Sequence, residues 1–234
     1  MSIRPVKHES RATPTMEGAG VKLHRVFGFG DPSMTDPFLM MDDFRNDEPM
    51  DYVRGFPWHP HRGIETITYV LAGAVEHGDS LGNHAQLKPG QIQVMSAGSG
   101  VKHSEYNPSK TDRLHLIQVW IMPDRPNLTP RYAEWTPTPE QLESPKVLII
   151  SNDGREGSAH ISQDADVYRV KTTGAGTISH ELRAGRGLWF QLIGGDVEIG
   201  DVKLSPGDAV RSEDAGNFVF KSAGPVEALL FDLA

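Results

Sequence analysis

The chain contains no cysteine, which excludes disulfides, thiolate metal sites and a cysteine nucleophile. Its longest apolar runs, such as residues 147–150 and 228–231, fall far short of the roughly 20 residues that a membrane-spanning helix needs. The first 20 residues are polar and hold no apolar h-region, so no secretory signal is expected. Lys and Arg are nowhere clustered and the net charge is −8. Neither direct nucleic-acid binding nor an anionic-membrane surface is expected. Together these absences make a cytoplasmic protein the expectation. Helix signals are scarce as well. The best is a short turn beginning near Thr138, with Pro139 in its first turn and Glu140, Gln141 and Leu142 following.

What is present is strand texture. Glu65 to Leu71 mixes β-branched and aromatic residues and stops at Ala72-Gly73. Gln91 to Met95 alternates polar and apolar residues, the pattern of a half-buried strand. Leu114 to Met122 is apolar on nearly both faces and reads as a strand covered on both sides. The second half repeats the texture at 177–182, 188–193 and 226–233. Glycine and proline are spread along the chain rather than gathered in a linker, so turns are many and strands short. The fold class is therefore all-β, a sandwich or barrel.

Residues 71–90 and 192–207 share a pattern: an apolar residue, a glycine turn, a short strand with Val-Glu, a leucine and Pro-Gly. Two successive barrels of similar build fit this repeat. A Pro-rich stretch lies between them. The expected domains are 1–122 (metal-binding), a connection at 123–145, and 146–234 (without a metal site).

His59-Pro60-His61 sets two imidazoles two residues apart, and on a strand such residues face the same way. His103-Ser104-Glu105 repeats the spacing with a carboxylate second. On neighbouring strands the two pairs would converge on three nitrogens and one oxygen. That set suits one divalent transition metal, with Fe(II) the first expectation and Ni, Co, Mn or Cu also accepted. Glu65 would lie about 13 Å beyond His61 on a straight strand. A turn at Arg62-Gly63 would bring it nearer, as a group orienting a ligand. The remaining histidines read otherwise: His8 and His24 as surface residues, His77 and His84 as solvent-exposed hairpin residues, and His115 as a hydrogen-bonded core imidazole. His160 and His180 have no partner two residues on, and Gly216-Asn217-Phe218 stands where a later histidine would be needed. Trp58, beside a ligand, is a candidate for the site's mouth, while Trp120 and Trp189 read as packing.

The segments around these residues resemble the two cupin motifs: His59-x-His61-x3-Glu65-x7-Gly73, and Gly90-x5-Ser96-x-Gly98-x4-His103-x3-Asn107. Residues 36–44, 59–66, 95–107 and 114–121 together resemble the pirin family over roughly residues 15–135. The resemblance implies two tandem cupin barrels (double-stranded β-helix, or jelly-roll), with the metal on His59, His61, His103 and Glu105. It also implies quercetin 2,3-dioxygenase activity, with a flavonol-like substrate and O2, and Glu105 as the catalytic base. The other role implied is a non-catalytic, metal-dependent regulator that modulates a protein partner, with the acidic patches at Asp42-Asp43 and Asp47-Glu48 as candidate surfaces. Sugar-phosphate isomerisation is disfavoured, since only Arg62 and Lys102 are basic residues close to the site in sequence.

Overall fold

A computed structural model describes residues 2–7, 15–16, 21–30, 36–46 and 55–234. His8 and Asp47-Glu48 lie outside them. Among the described residues the chain is strands and turns with one α-helix, Pro139–Glu143. That helix starts where the sequence places it. Thr138 caps it by accepting from Gln141 N, and the Gln141 side chain returns the contact in a capping box. Among the described residues no helix is long and apolar enough to cross a membrane.

The chain divides into two units: residues 11–136 with 161–163, and residues 1–10 with 137–160 and 164–234. Each has two large sheets, antiparallel but for one parallel pair in the second unit, and the first unit adds a two-stranded ribbon, Thr15–Met16 with Val21–Lys22. In the first unit a six-stranded sheet runs in the order Arg131–Trp135, Ile92–Ser96, Glu65–Ala72, Leu114–Ile121, Phe38–Asn46, His24–Phe27. It is joined by a four-stranded sheet, Phe56–His61, Val101–Tyr106, Val75–Asp79, His84–Leu87. The second unit has a seven-stranded sheet, which ends in Lys146–Ser151 paired in parallel with Ala159–His160, and a four-stranded one. Two details differ from the expected division. Arg131–Trp135 is not mere connection but a strand that hydrogen-bonds to Ile92–Ser96 of the first unit. Arg4–Val6 pairs with Ala209–Val210-Arg211 and so belongs to the second unit. The Pro-rich spacing of the one and the shortness of the other hide them from periodicity.

The internal repeat is structural. Gly73 and Gly195 both take positive φ, +73° and +81°. A Cβ on either would fall 2.1 Å from a backbone carbonyl, that of Arg113 or of Pro225. The Pro-Gly turns match too: Gly90 N donates to Val70 O (2.8 Å) and Gly207 N to Leu192 O (2.9 Å).

Strand register then equates positions in the two units. Glu76 opposite Tyr106 corresponds to Glu198 opposite Lys221. By this register His103 matches Phe218 and Glu105 matches Phe220. Thr68 lies opposite Gln93 and Gln118, as Phe190 lies opposite Val210 and Leu230. In the second unit these positions fill one apolar core with Leu182 and Ile199. The same places in the first unit are polar, and there the candidate site lies.

Candidate metal centre

His59 and His61 stand on Phe56–His61, the edge strand of its sheet. An edge tolerates Pro57 and Pro60, which have no N–H to give to a ladder. The neighbouring strand, Val101–Tyr106, sets His103 directly opposite His59. Register shifts between His103 and Glu105, a bulge that places Glu105 opposite Phe56. Glu105 also lies opposite His77 of Val75–Asp79.

The ligand atoms of His59, His61 and His103 lie within 4.8 Å of one another. Glu105 falls in a second cluster of the same tightness, with His103 and His77. His103 belongs to both. His59 Nδ1 donates to Pro57 O at 2.8 Å, and since a carbonyl only accepts, its Nε2 keeps the lone pair. That Nε2 sits 3.0 Å from His103 Nε2. Two imidazoles at right angles on one ion about 2.1 Å away have this separation. The donor set of neutral nitrogens beside one carboxylate therefore fits a borderline divalent ion.

Electrostatics keep the set ready. Burial, with the neighbouring His59, holds His61 down to about 4 despite the opposing pull of Glu105. Burial likewise holds His103 down to about 4. Both rings are thus neutral at neutral pH, with lone pairs free. Burial pushes the Glu105 carboxyl up, but His103, His77 and the Gln118 amide outweigh it and hold the group below its ordinary value. Gln93 Nε2 donates to Glu105 Oε1 (2.8 Å) and Gln118 Nε2 to Oε2 (2.9 Å). Each oxygen retains lone-pair capacity.

A cavity of about 150 Å³ opens beside His59, His61 and Glu105. Met40, Phe44, Phe56 and Trp120 give it apolar walls. Trp120 meets His61 edge to face, with ring centroids 4.9 Å apart. Arg25 also lines it, its guanidinium bound bidentately to the buried Asp42 (2.9 and 3.0 Å). A larger open depression of about 810 Å³ lies around Gly73 and Arg113, but neither ligand cluster borders it.

Several sequence readings change. His77 is not solvent-exposed but fully buried, stacked on Tyr132 at 4.7 Å; His84 is exposed. Gln91 to Met95 is not half-buried: Ile92–Ser96 is buried throughout, because Gln93 points its amide at Glu105. Asp42 and Asp43 are no exposed patch. Both are buried, Asp42 against Arg25 and Asp43 against Arg45 and His115. Trp58 is 54% exposed, and Trp120 rather than Trp58 borders the cavity. Glu65 is buried with its Oε2 accepting from Ser162 N (2.8 Å) and Arg131 3.6 Å from Oε1, and it belongs to neither ligand cluster. The missed partners carried one signal. Gln118 is the lone amide of an apolar strand, and a buried amide needs a partner, whereas Gln93, in an alternating stretch beside Gln91, carried none.

A family model described as Pirin matches residues 20–121, and one described as Quercetinase C-terminal cupin domain matches residues 148–233. The quercetin 2,3-dioxygenase of Escherichia coli (strain K12) is 43% identical over 188 residues, 80% of each chain. A pirin-like protein of Caulobacter vibrioides is 38% identical over 178 residues, 76% of this chain and 63% of that one. The crystal structure of YhhW from Escherichia coli superposes with a TM-score of 0.86 at 35% identity, covering 100% of this chain and 98% of the other. The bacterial pirin YhhW in complex with nickel(II), also from Escherichia coli, gives 0.83 at 34% identity over 99% of each chain. Two cupin domains in tandem, all-β, are therefore the class of this protein. Within that class, the chain belongs to the pirin family.

Proposed function

We propose that the chain is a metal-dependent dioxygenase that opens the central ring of a flavonol with O2 and releases carbon monoxide, as quercetin 2,3-dioxygenases do. The observation that carries this is the meeting of neutral imidazoles and an ionised, amide-held carboxylate at the wall of an apolar cavity. His59, His61, His103 and Glu105 are the proposed ligands of one divalent metal. Such an ion supplies Lewis-acid polarisation of a substrate oxygen and a place for dioxygen. The name of the Escherichia coli relative and the nickel(II) in the Escherichia coli pirin support the reading.

The chain's own residues divide the remaining work. Glu105 accepts the proton of the substrate's 3-hydroxyl, with Gln93 and Gln118 holding its two oxygens in place. The three histidines hold and do not move protons. Met40, Phe44, Phe56 and Trp120 exclude water from the reacting edge. The cavity is smaller than the roughly 300–1,000 Å³ that enclose a drug-sized ligand. Only the hydroxyl–carbonyl edge of a flavonol enters, and the rest of the molecule stays outside.

That same small cavity favours a second reading, a regulator whose metal state is sensed by a protein partner. Oxygen uptake with quercetin separates the two. Protein of measured metal content is compared with His59→Ala and Glu105→Ala. Uptake with carbon monoxide release, lost in both variants, is the expected outcome. Stoichiometric metal without turnover on Fe, Mn, Co, Ni or Cu would overturn the dioxygenase reading in favour of the regulator.

A further inference from the structure

Behind His103, away from His59, stands a buried row of groups that ligation itself does not use. His103 Nδ1 lies 3.5 Å from His77 Nδ1, and His77 Nε2 lies 3.2 Å from Asp79 Oδ2. The His77 and Asp79 side chains have no solvent exposure. We propose that Asp79, acting through His77, fixes the tautomer of His103 so that its Nε2 lone pair faces His59 and His61. The proposal rests on the reading that these histidines hold a metal, and it makes His77 and Asp79 positioning residues.

The chain of inference starts at Asp79. Its Oδ1 accepts from the backbone N–H groups of Leu81 (2.9 Å) and Asn83 (3.0 Å), and the Asn83 amide donates to both oxygens. Burial pushes this carboxyl up, yet these donors together with His77 hold it below its ordinary value, so it is an anion and only accepts. His77 Nε2 must therefore donate to it. In the proposed arrangement that is the ring's single proton, and His77 Nδ1 is left as an acceptor. Among the described residues, the ring proton placed to meet it is one on His103 Nδ1, 3.5 Å away. His103 then presents its Nε2 lone pair to His59 Nε2, whose own proton is fixed on Nδ1 by Pro57 O. Two lone pairs 3.0 Å apart repel each other unless a cation lies between them. Tyr132, stacked on His77, keeps the ring from turning.

The opposite arrangement is as well defined. Were His103 protonated on Nε2, it would donate to His59, and a neutral His77 would have to turn a lone pair towards the Asp79 carboxylate. Each tautomer has its own signature in long-range proton–nitrogen NMR of the ring, assigned to His103 by comparison with His103→Gln. The full-length, metal-free protein is expected to show His103 protonated on Nδ1 and His77 on Nε2. His77→Phe keeps the stacking on Tyr132 but removes the acceptor. It should mix the His103 tautomers and weaken nickel(II) binding about 10–100-fold in competition with a chromophoric chelator. His77→Gln, whose side-chain oxygen can accept from Nδ1–H, should recover most of that loss. A wild-type His103 protonated on Nε2, or unchanged nickel(II) affinity in His77→Phe, would overturn the relay. Should the wild type bind no metal, the metal reading falls, while the spectrum of the metal-free protein still decides the relay. The same spectrum decides it if His77→Phe does not fold.

Discussion

Glu105 is kept an anion in a place almost without water, and two glutamine amides make that tolerable. Their dependence is mutual. Glu105→Leu takes the carboxylate from both amides, leaving Gln93 Nε2 with only the longer contact to Thr68 Oγ1 (3.4 Å), and should cost about 1–3 kcal/mol in urea unfolding, the cost of an orphaned buried donor. Adding Gln93→Val and Gln118→Leu should restore much of that loss, because removing both partners of a hydrogen bond is far cheaper than removing one. A triple variant less stable than Glu105→Leu would contradict this account. Val210 and Leu230 already occupy the corresponding places in the second unit, packed against Phe218 and Phe220. At this scale the sequence was most legible where spacing expresses geometry. The two pairs, His59 with His61 and His103 with Glu105, announce a shared strand face. His77 did not announce itself, since burial of a hairpin residue depends on which strand lies opposite, here the one carrying Glu105.

Among the elements, the hairpins that open on Gly73 and Gly195 are built alike, with a carbonyl seated where a side chain would be. Gly195→Ala combines a positive φ with a Cβ 2.1 Å from Pro225 O. It should destabilise by at least about 2 kcal/mol. Chemical denaturation should report this loss while nickel(II) affinity is unchanged; loss of affinity would show that the hairpin matters to the first unit's site. The last strand, Val226–Leu233, carries Asp232, bonded to Arg186 and to His180 (2.9 Å). Burial pushes its carboxyl up, but His180 and Arg186 prevail and hold it below the ordinary value of 3.8. Its contribution to stability is therefore complete above that ordinary value and is lost as pH falls through the lower folded one. Urea midpoints should drop on acidification below about pH 4. Asp232→Asn should flatten that acid limb while lowering the midpoint at pH 7. Strand positions were readable from periodicity to within a residue or two, as at 65–72, 114–121 and 226–233. Arg131–Trp135 was not, because its prolines lie just outside the strand and mask it.

Taken whole, the molecule holds the same scaffold twice, and positions that are polar in the first copy are apolar in the second. An ion bound only by the folded state stabilises it by about 2.7 kcal/mol at a hundredfold excess over Kd. Chelator treatment should thus lower the melting temperature of wild type, and should leave His59→Ala unaffected; an equal drop in both would place the bound metal elsewhere. The two-barrel plan was legible from a repeated run of Val-Glu and Pro-Gly, but its closure was not. The strand Arg4–Val6, with Pro5 at its centre, is too short to show a period, and its partner at 209–211 lies some 200 residues further along. Translation adds about 5–20 residues per second. This strand therefore leaves the ribosome about 10–40 s before the strand it pairs with. Throughout that interval a folded first barrel would trail an unattached tail, open to chaperones and proteases, until the far end of the chain is made.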